Sequence, residues 1–324
     1  MTKWTSQNIP PQLGRSAVVT GTGGLGFETA LALTRAGANV VLAGRNLLKG
    51  AAAVTAIRGA VPGAQIRFGQ VDLASLDSIA EFGTQLAQEQ GSLDLLINNA
   101  GVMTPPQRRE TLDGFELQFG TNYLGHFALT AHLMPLLRSG TKPRVVTLGS
   151  VAARSGAIDL DNLNAQREYK PFPIYAQSKL ACIMFAFELS RRSKAAGWGV
   201  ESFASHPGIS RTDLIPNGAG QASLAGLTRT YLWFLYQPVW QGALPTLFAA
   251  TDPAAKTGAY YGPDRLAGTR GYPKEENPPK QALDMAVAAQ LWERSLELTG
   301  VTFSDVTQIS DGAGSTQPGA RAGE

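Results

Sequence analysis

The sequence predicts an α/β fold, a doubly wound parallel sheet with helices on both faces in three layers. Short apolar runs alternate with longer helical stretches as far as about residue 205, which is the pattern of repeated βαβ units. The run 39–43 (Asn-Val-Val-Leu-Ala) is apolar on both faces, as buried parallel strands are. The 324 residues suit one domain of this class with a C-terminal extension.

The alternation predicts an ordered series of elements. Strands are predicted at 17–20, 39–43, 65–71, 93–98, 144–148 and 199–205. Helices are predicted at 25–36, 47–61, 75–89, about 113–138 and 174–194. After about residue 210 the pattern changes to apolar helices within 222–250, a short strand at 260–262 and an amphipathic helix at 281–299.

Composition excludes several classes of protein. The single cysteine, Cys182, excludes an internal disulfide framework and predicts a reducing, cytoplasmic setting. The net charge is only +3, and the Lys and Arg residues are scattered, so we expect no nucleic-acid partner. Residues 1–15 lack the apolar core of a secretory signal. The most apolar stretch, 222–250, is interrupted by Arg229 and Pro238, so no transmembrane segment is expected. No metal site is predicted.

A glycine-rich turn lies between the first predicted strand and the first predicted helix. It has the form G-x-G-x-x-G and consists of Gly21, Thr22, Gly23, Gly24, Leu25 and Gly26. In this context Gly21 permits a tight turn, Gly23 lets backbone N–H groups approach a pyrophosphate, and Gly26 allows close packing of helix on strand. The helix N-terminus favours the anion. The turn therefore predicts a dinucleotide site.

The end of the second predicted strand indicates which dinucleotide is bound. A carboxylate that binds the adenosine ribose is expected about 20 residues after the turn, but the sequence has Gly44, Arg45 and Asn46 there. A guanidinium pairs with a 2′-phosphate, which a carboxylate would repel. We therefore expect NADP(H) to be preferred, with NAD(H) possible.

Tyr175 and Lys179 open an apolar helix with a spacing of four. On a helix this spacing places both side chains on one face, about 5–6 Å apart at Cβ. A phenol alone is a poor acid–base group at neutral pH, but a neighbouring ammonium favours the phenolate form. Such a pair can donate and accept a proton in carbonyl and alcohol chemistry.

Several further short motifs occur in order along the chain. They are 18–21 (Val-Val-Thr-Gly), 24–30 (Gly-Leu-Gly-Phe-Glu-Thr-Ala), 72–73 (Asp-Leu), 98–101 (Asn-Asn-Ala-Gly), 122–127 (Asn-Tyr-Leu-Gly-His-Phe), 149–150 (Gly-Ser), 175–179 (Tyr-Ala-Gln-Ser-Lys) and 206–208 (His-Pro-Gly). With these motifs the chain resembles a Rossmann-like short-chain dehydrogenase/reductase, from Trp4 to about residue 300. Within that family it is most similar to the retinol-dehydrogenase-like and protochlorophyllide-reductase-like branch.

The resemblance implies hydride transfer between a nicotinamide cofactor and a carbonyl or alcohol. It implies that Tyr175 is the general acid/base, that Lys179 holds the nicotinamide ribose and favours phenolate, and that Ser150 binds the substrate oxygen. Asn122 would hold a water behind Lys179. The cofactor-binding residues would be Gly21, Thr22, Gly23, Gly24, Leu25, Gly26, Arg45, Asp72, Leu73, Asn99, Ala100, Gly101, Tyr175, Lys179, Pro207, Gly208 and Thr212.

The chain departs from the family's pattern at two places. Relatives usually have the pattern G-x-x-x-G-x-G, whereas only two residues separate Gly21 from Gly24 in this chain. The missing position often lies near the 2′-phosphate in relatives. The stretch between Ser150 and Tyr175 is longer than in the commonest members and should form a wall beside the substrate. His126 and Cys182 are interpreted as packed core residues, and His206 as a residue that orients the loop after its strand.

The domain limits follow from the same resemblance. An N-terminal arm is expected at 1–15, a catalytic domain at 16–300 with a substrate-covering extension at about 209–300, and a flexible tail at 301–324. The extension contains an apolar group, which consists of Leu227, Tyr231, Leu232, Trp233, Phe234, Leu235, Tyr236 and Trp240. This group is read as a lid over a hydrophobic substrate. A core or dimer-interface helix and a membrane-surface helix remain alternatives.

Two other functions remain open at this point. One is a cofactor-binding regulator that has lost catalysis; the presence of Asn122, Ser150, Tyr175 and Lys179 argues against it. The other is an extended-type sugar-nucleotide epimerase or dehydratase. Its motif would require glycine where this chain has Phe27. The oligomeric state is predicted to be a monomer or a homodimer, and peripheral contact with a membrane is possible.

Overall fold

The sheet has the predicted doubly wound topology. We describe a computed structural model, which covers residues 3–210 and 237–303. In these residues eight strands form one sheet in the order β3-β2-β1-β4-β5-β6-β7-β8, where β1 to β7 are parallel and β8 is antiparallel to β7. The strands are β1 Ser16–Thr20, β2 Asn39–Gly44, β3 Ile66–Gln70, β4 Leu95–Asn98, β5 Arg144–Leu148, β6 Glu201–Ser205, β7 Tyr260–Arg265 and β8 Arg270–Glu275.

Helices connect most of the parallel strands. The α-helices are α1 Gly24–Arg35, α2 Leu47–Ala60, α3 Leu76–Glu89, α4 Leu117–Phe119, α5 Gly125–Arg138, α6 Pro171–Ala196, α7 Val239–Gly242, α8 Leu244–Thr251 and α9 Met285–Thr299. A π-helical turn, Gly120–Leu124, joins α4 to α5. Short 3-10 helices lie at Ser6–Asn8, Val151–Ser155 and Lys280–Leu283.

Side chains of the strands alternate between two buried clusters, one on each face of the sheet. Val18 and Val145 point into the cluster formed with α3, α5, α6 and α9. Val19 and Val146, their neighbours in sequence, point into the cluster formed with α1, α2 and α8. This two-residue period, buried on both sides, explains why the strands read as continuous apolar runs. The three-layer arrangement is thereby confirmed.

The topology brings the predicted site together. The chain moves from β1 outward to β2 and β3, then crosses back to β4 on the other side of β1. Ligands of doubly wound sheets bind outside the carboxyl ends of the strands at such a reversal. The loops after β1, β4, β5 and β6 carry most of the predicted site residues, and all of them open at this edge.

Some predicted elements differ in detail. The helix predicted from 113 begins at Leu117 and is interrupted by the π-turn, and α6 begins at Pro171, where a proline is well suited to the first helical turn. The predicted strand 260–262 extends to Arg265 and pairs with β8, a strand that was not predicted. Of the apolar stretch 222–250, residues 222–236 lie outside the described residues, and α7 and α8 follow.

Both ends of the described chain are packed onto the domain. Trp4 of the predicted arm lies edge-on to Phe248, and its indole N–H donates to Asp252 at 2.7 Å. Phe303 is buried against Trp292 and Phe127, at centroid distances of 4.5 and 5.1 Å. Phe303, which the predicted limits place in the tail, is therefore packed against the domain. Residues 304–324 lie outside the described residues.

Replacement of Phe303 by alanine should destabilise the domain. The change removes a buried ring from an aromatic cluster, which costs about 3–5 kcal/mol of unfolding free energy. Urea denaturation of Phe303→Ala measures the loss. Leu48→Ala serves as a control because Leu48 is 83% exposed, and its effect should stay within about 0.5 kcal/mol. Equal stability of the two variants would show that Phe303 is not part of the core.

Candidate active site

One large cavity opens at the carboxyl edge of the sheet. Its volume is about 1610 Å³. The predicted site residues that line it are Gly21, Thr22, Gly23, Gly24, Leu25, Arg45, Asp72, Leu73, Asn99, Ala100, Gly101, Ser150, Tyr175, Lys179, Pro207 and Gly208. Gly26 and Asn122 do not line it, and Thr212 lies outside the described residues. The fold therefore brings to one cavity residues that are up to 187 positions apart in the sequence.

The glycine turn has the shape that its sequence predicts. Gly21 has φ +96°, and a Cβ there would lie 2.8 Å from Asn99 Nδ2. Gly23 precedes α1 as its N-cap residue, and a Cβ there would meet nothing within 4 Å, so the backbone borders open space. Gly26 lies behind the turn, where a Cβ would collide with the carbonyl oxygen of Gly21. Gly26 therefore allows α1 to pack closely against the turn. Because Gly26 does not line the cavity, its predicted contribution to cofactor binding would be indirect.

Asn99 ties the loop after β4 to the end of β1. Its Nδ2 donates to the Thr20 carbonyl at 2.6 Å, and its backbone N–H donates to Thr20 Oγ1 at 2.9 Å. The Ala100 N–H donates to the same hydroxyl at 3.0 Å. The preceding residue, Asn98, is instead buried and bonds to Thr130 and Thr147.

A second cation accompanies Arg45 beyond β2. Lys49 lines the same part of the cavity wall, and its backbone N–H is capped by the Asn46 side chain at 2.9 Å. Lys49 was not among the predicted site residues. A helical spacing of four does not indicate it, because Arg45 lies before the N-cap of α2 and only Lys49 is in the helix.

Tyr175 and Lys179 lie on the cavity side of α6 and are almost fully buried, at 5% and 4% exposure. The Lys179 ammonium donates to the carbonyl of Leu148 at the end of β5, at 3.0 Å. Ser150 follows two residues later and lines the cavity, and its hydroxyl accepts from the Ala152 N–H at 3.2 Å. The hydroxyl, phenol and ammonium thus border a single space. Such a group can bind an oxygen atom and exchange a proton with it.

Asn122 lies in the π-turn, fully buried behind the cavity wall. Its side-chain amide donates to the Val102 carbonyl and to Ser178 Oγ, both at 3.0 Å, and accepts from the Val102 N–H at 2.7 Å. It therefore links the loop after β4 to α6. Its predicted water-holding role stays a prediction.

The two residues interpreted as core are buried. His126 bonds to Thr20 and to the Asn122 carbonyl, and burial lowers its pKa to about 4, so it is neutral. Burial raises the pKa of the Cys182 thiol, which makes it unreactive. Both interpretations are confirmed.

The substrate side of the cavity is only partly described. The long stretch before Tyr175 contributes Arg154, Ser155 and Phe172 to the lining, as expected of a wall. Of the predicted lid group only Trp240 is described; it is 47% exposed and does not line the cavity. The other members, from Leu227 to Tyr236, lie outside the described residues.

The described residues contain neither a membrane-spanning helix nor a cluster of metal ligands. No helix there is both long and apolar enough to cross a bilayer. Among the same residues, no group of three or more His, Cys, Asp or Glu side chains could hold a metal ion.

Comparison with known proteins gives consistent matches. A family model described as "short chain dehydrogenase" matches residues 15–219. The chain is 39% identical to human (Homo sapiens) retinol dehydrogenase 13 over 91% of this chain and 87% of that protein. It is 38% identical to mouse (Mus musculus) polyprenol dehydrogenase over 92% and 87%. A crystal structure of an uncharacterized protein from Mycobacterium paratuberculosis, 36% identical, covers 94% of this chain and 100% of that one, with a TM-score of 0.78.

The glycine turn provides a test of the packing. Gly26→Ala should lower the unfolding free energy by about 1–3 kcal/mol, because its Cβ has no room beside the Gly21 carbonyl. Gly23→Ala is the matched control, since its Cβ meets nothing; it only replaces a favourable N-cap residue, so it should destabilise the protein less than Gly26→Ala does. Thermal denaturation compares the two. Equal melting temperatures would contradict the geometry of the turn.

Proposed function

The chain belongs to the short-chain dehydrogenase/reductase family and is an NAD(P)(H)-dependent oxidoreductase that interconverts an alcohol and a carbonyl compound; from this we propose which residues do the chemistry and on what substrate. The observation that carries the proposal is the grouping of Ser150, Tyr175 and Lys179 around one cavity whose other end is the glycine turn. The regulator and epimerase alternatives are not favoured.

The cavity suits a nicotinamide dinucleotide. The open space above Gly23, at the N-terminus of α1, is where a pyrophosphate fits. Asp72 and Asn99 with its neighbours would border the adenosine, and Lys179 the nicotinamide ribose. When bound, the cofactor supplies or accepts the hydride.

The protein's own side chains donate and accept the proton. In reduction the carbonyl carbon gains the hydride, and the Ser150 hydroxyl donates a hydrogen bond to the oxygen as it becomes negative. The Tyr175 hydroxyl then gives its proton to that oxygen, which leaves a phenolate. The buried Lys179 ammonium stabilises the phenolate by its charge. In oxidation the same phenolate removes the proton from the alcohol.

We also propose that NADP(H) is preferred. Arg45 and Lys49 place two positive charges at the adenosine end of the cavity. A 2′-phosphate would be bound by both. The two cations also offer a means of binding the phosphate despite the shortened glycine turn.

The substrate is proposed to be a hydrophobic alcohol or aldehyde. Apolar side chains line the same cavity as Tyr175, and they include Met103, Leu117, Val151, Ala152 and Phe172. The relatives named retinol and polyprenol dehydrogenase point to long apolar alcohols. A cytoplasmic location, peripheral membrane contact and a monomeric or homodimeric state stay predictions.

Tyr175→Phe tests the catalytic assignment. Without the hydroxyl, kcat should fall by about 10²–10⁴-fold, while the cofactor Kd changes little, because the ring still fills its place. Steady-state kinetics with a panel of apolar aldehydes, and fluorescence titration with NADPH, measure the two quantities. Tyr272→Phe is the control, since Tyr272 does not line the cavity. Retained turnover in Tyr175→Phe would contradict the assignment of Tyr175 as the general acid/base.

Arg45→Ala and Lys49→Ala test the cofactor preference. Each change should weaken NADPH binding by about 10-fold or more, as the loss of a charge-assisted hydrogen bond does, with little effect on NADH. The ratio of the two dissociation constants is the measurement. Arg35→Ala, at the far end of α1, should leave it unchanged. An unaltered ratio in both cavity variants would show that the preference lies elsewhere.

A further inference from the structure

The turn after β6 is held by a histidine that uses both ring nitrogens. His206 is fully buried. Its Nδ1 accepts from the Gly208 N–H at 3.2 Å, and its Nε2 lies 3.0 Å from Glu276 Oε2. Because a neutral imidazole carries one N–H, acceptance at Nδ1 assigns the hydrogen to Nε2, which donates to the carboxylate. One ring therefore connects the turn to the residue that follows β8.

Two neighbouring residues pack closely against this ring. Tyr260 stacks on it at 5.0 Å between ring centroids. On another side is Gly262, where a Cβ would collide with Nε2. The absence of a side chain at position 262 is thus what leaves room for the hydrogen bond to Glu276.

The β7–β8 hairpin supports the same turn from a second side. The Thr269 carbonyl accepts from the Ile209 N–H at 2.8 Å. Gln237 Nε2 donates to the Pro207 carbonyl. Gly208 has φ +64°, and a Cβ there would collide with the Thr269 carbonyl. The turn is therefore fixed by backbone and side-chain contacts, and a side chain at 208 would push it from the hairpin.

Glu276 also contacts the substrate wall. Arg154 Nη2 lies 3.5 Å from its Oε2, and Arg154 Nη1 donates to the Ala267 carbonyl at 2.8 Å. Arg154 lies in the 3-10 helix that begins just after Ser150, and it lines the cavity. The carboxylate thus links the turn after β6 to the wall that carries Ser150.

We propose that His206, held by Glu276, is a positioning residue that sets the Pro207–Gly208 backbone against the carboxamide of the nicotinamide. The proposal rests on the proposed function, in which Lys179 borders the nicotinamide ribose, and on the cofactor-binding role that the family resemblance implies for Pro207 and Gly208. Pro207 and Gly208 line the cavity, but His206 does not. It therefore acts through the backbone that it holds. A carboxamide has a donor and an acceptor, and a fixed peptide backbone can match both. A displacement of the turn would change the orientation of the nicotinamide ring.

The experiment compares two cofactors that differ at the carboxamide. Dissociation constants are measured by calorimetry for NADP⁺ and for its 3-acetylpyridine analogue, in which an acetyl group replaces the amide. In His206→Leu, binding of NADP⁺ should weaken by about 10-fold, and binding of the analogue by less than about twofold. His132→Leu is the matched control, because His132 does not line this cavity, and should change neither value.

Two conservative variants separate positioning from packing. His206→Asn can still accept from the N–H two residues on, as asparagine does in turns, and should recover most of the NADP⁺ affinity. Glu276→Gln keeps an acceptor for Nε2–H and should resemble the parent protein, whereas Glu276→Ala should follow His206→Leu.

Several outcomes would overturn the proposal. One is an equal loss for both cofactors in His206→Leu with no recovery in His206→Asn, which is the behaviour of a packing residue. Another is unchanged NADP⁺ binding in His206→Leu. A third is a parent protein that does not discriminate between the two cofactors. If the parent protein binds neither dinucleotide, the proposed function itself fails, so the two failures are distinguishable.

Discussion

The contact of the Lys179 ammonium with the Leu148 carbonyl is the interaction on which the site depends. It joins α6 to the end of β5 and holds a positive charge at the cavity wall beside Tyr175. A buried charge is costly unless it is hydrogen-bonded, so this acceptor is needed before a ligand arrives. The glycine at position 156 allows α6 to approach closely. A Cβ there would lie only 2.6 Å from the Ala176 carbonyl oxygen. Gly156 thus lets the face of α6 that carries Tyr175 and Lys179 lie close to the preceding chain.

The rest of the cavity is arranged around that contact. Asn122 links α6 to the loop after β4, and Asn99 links the same loop to the end of β1. On the other side, His206 and the β7–β8 hairpin hold the turn after β6. Rigid strands carry the loops, and the loops are tied to one another, so a bound ligand meets groups that are already in position.

Local patterns were sufficient to predict the sheet, the glycine turn and the Tyr175–Lys179 pair. Each depends on residues that are near in sequence: two-sided apolar runs, a turn between strand and helix, and a spacing of four. β8 was missed because Gly271 and Pro273 interrupt it, and an edge strand with one neighbour tolerates both. The contact between His206 and Glu276 spans 70 residues. It depends on how the antiparallel hairpin folds back, which no local pattern contains.

The role of the buried Lys179 ammonium can be tested by transfer of deuterium from the 4-position of NADPH to an apolar aldehyde. Mass analysis of the alcohol, after a single turnover, shows whether the carbon acquires the label. We expect labelled alcohol from the parent protein, and transfer at least about 100-fold slower in Lys179→Met, which lacks the charge but keeps an unbranched side chain only one atom shorter. Equal rates of transfer in the two proteins would contradict the role of the buried ammonium.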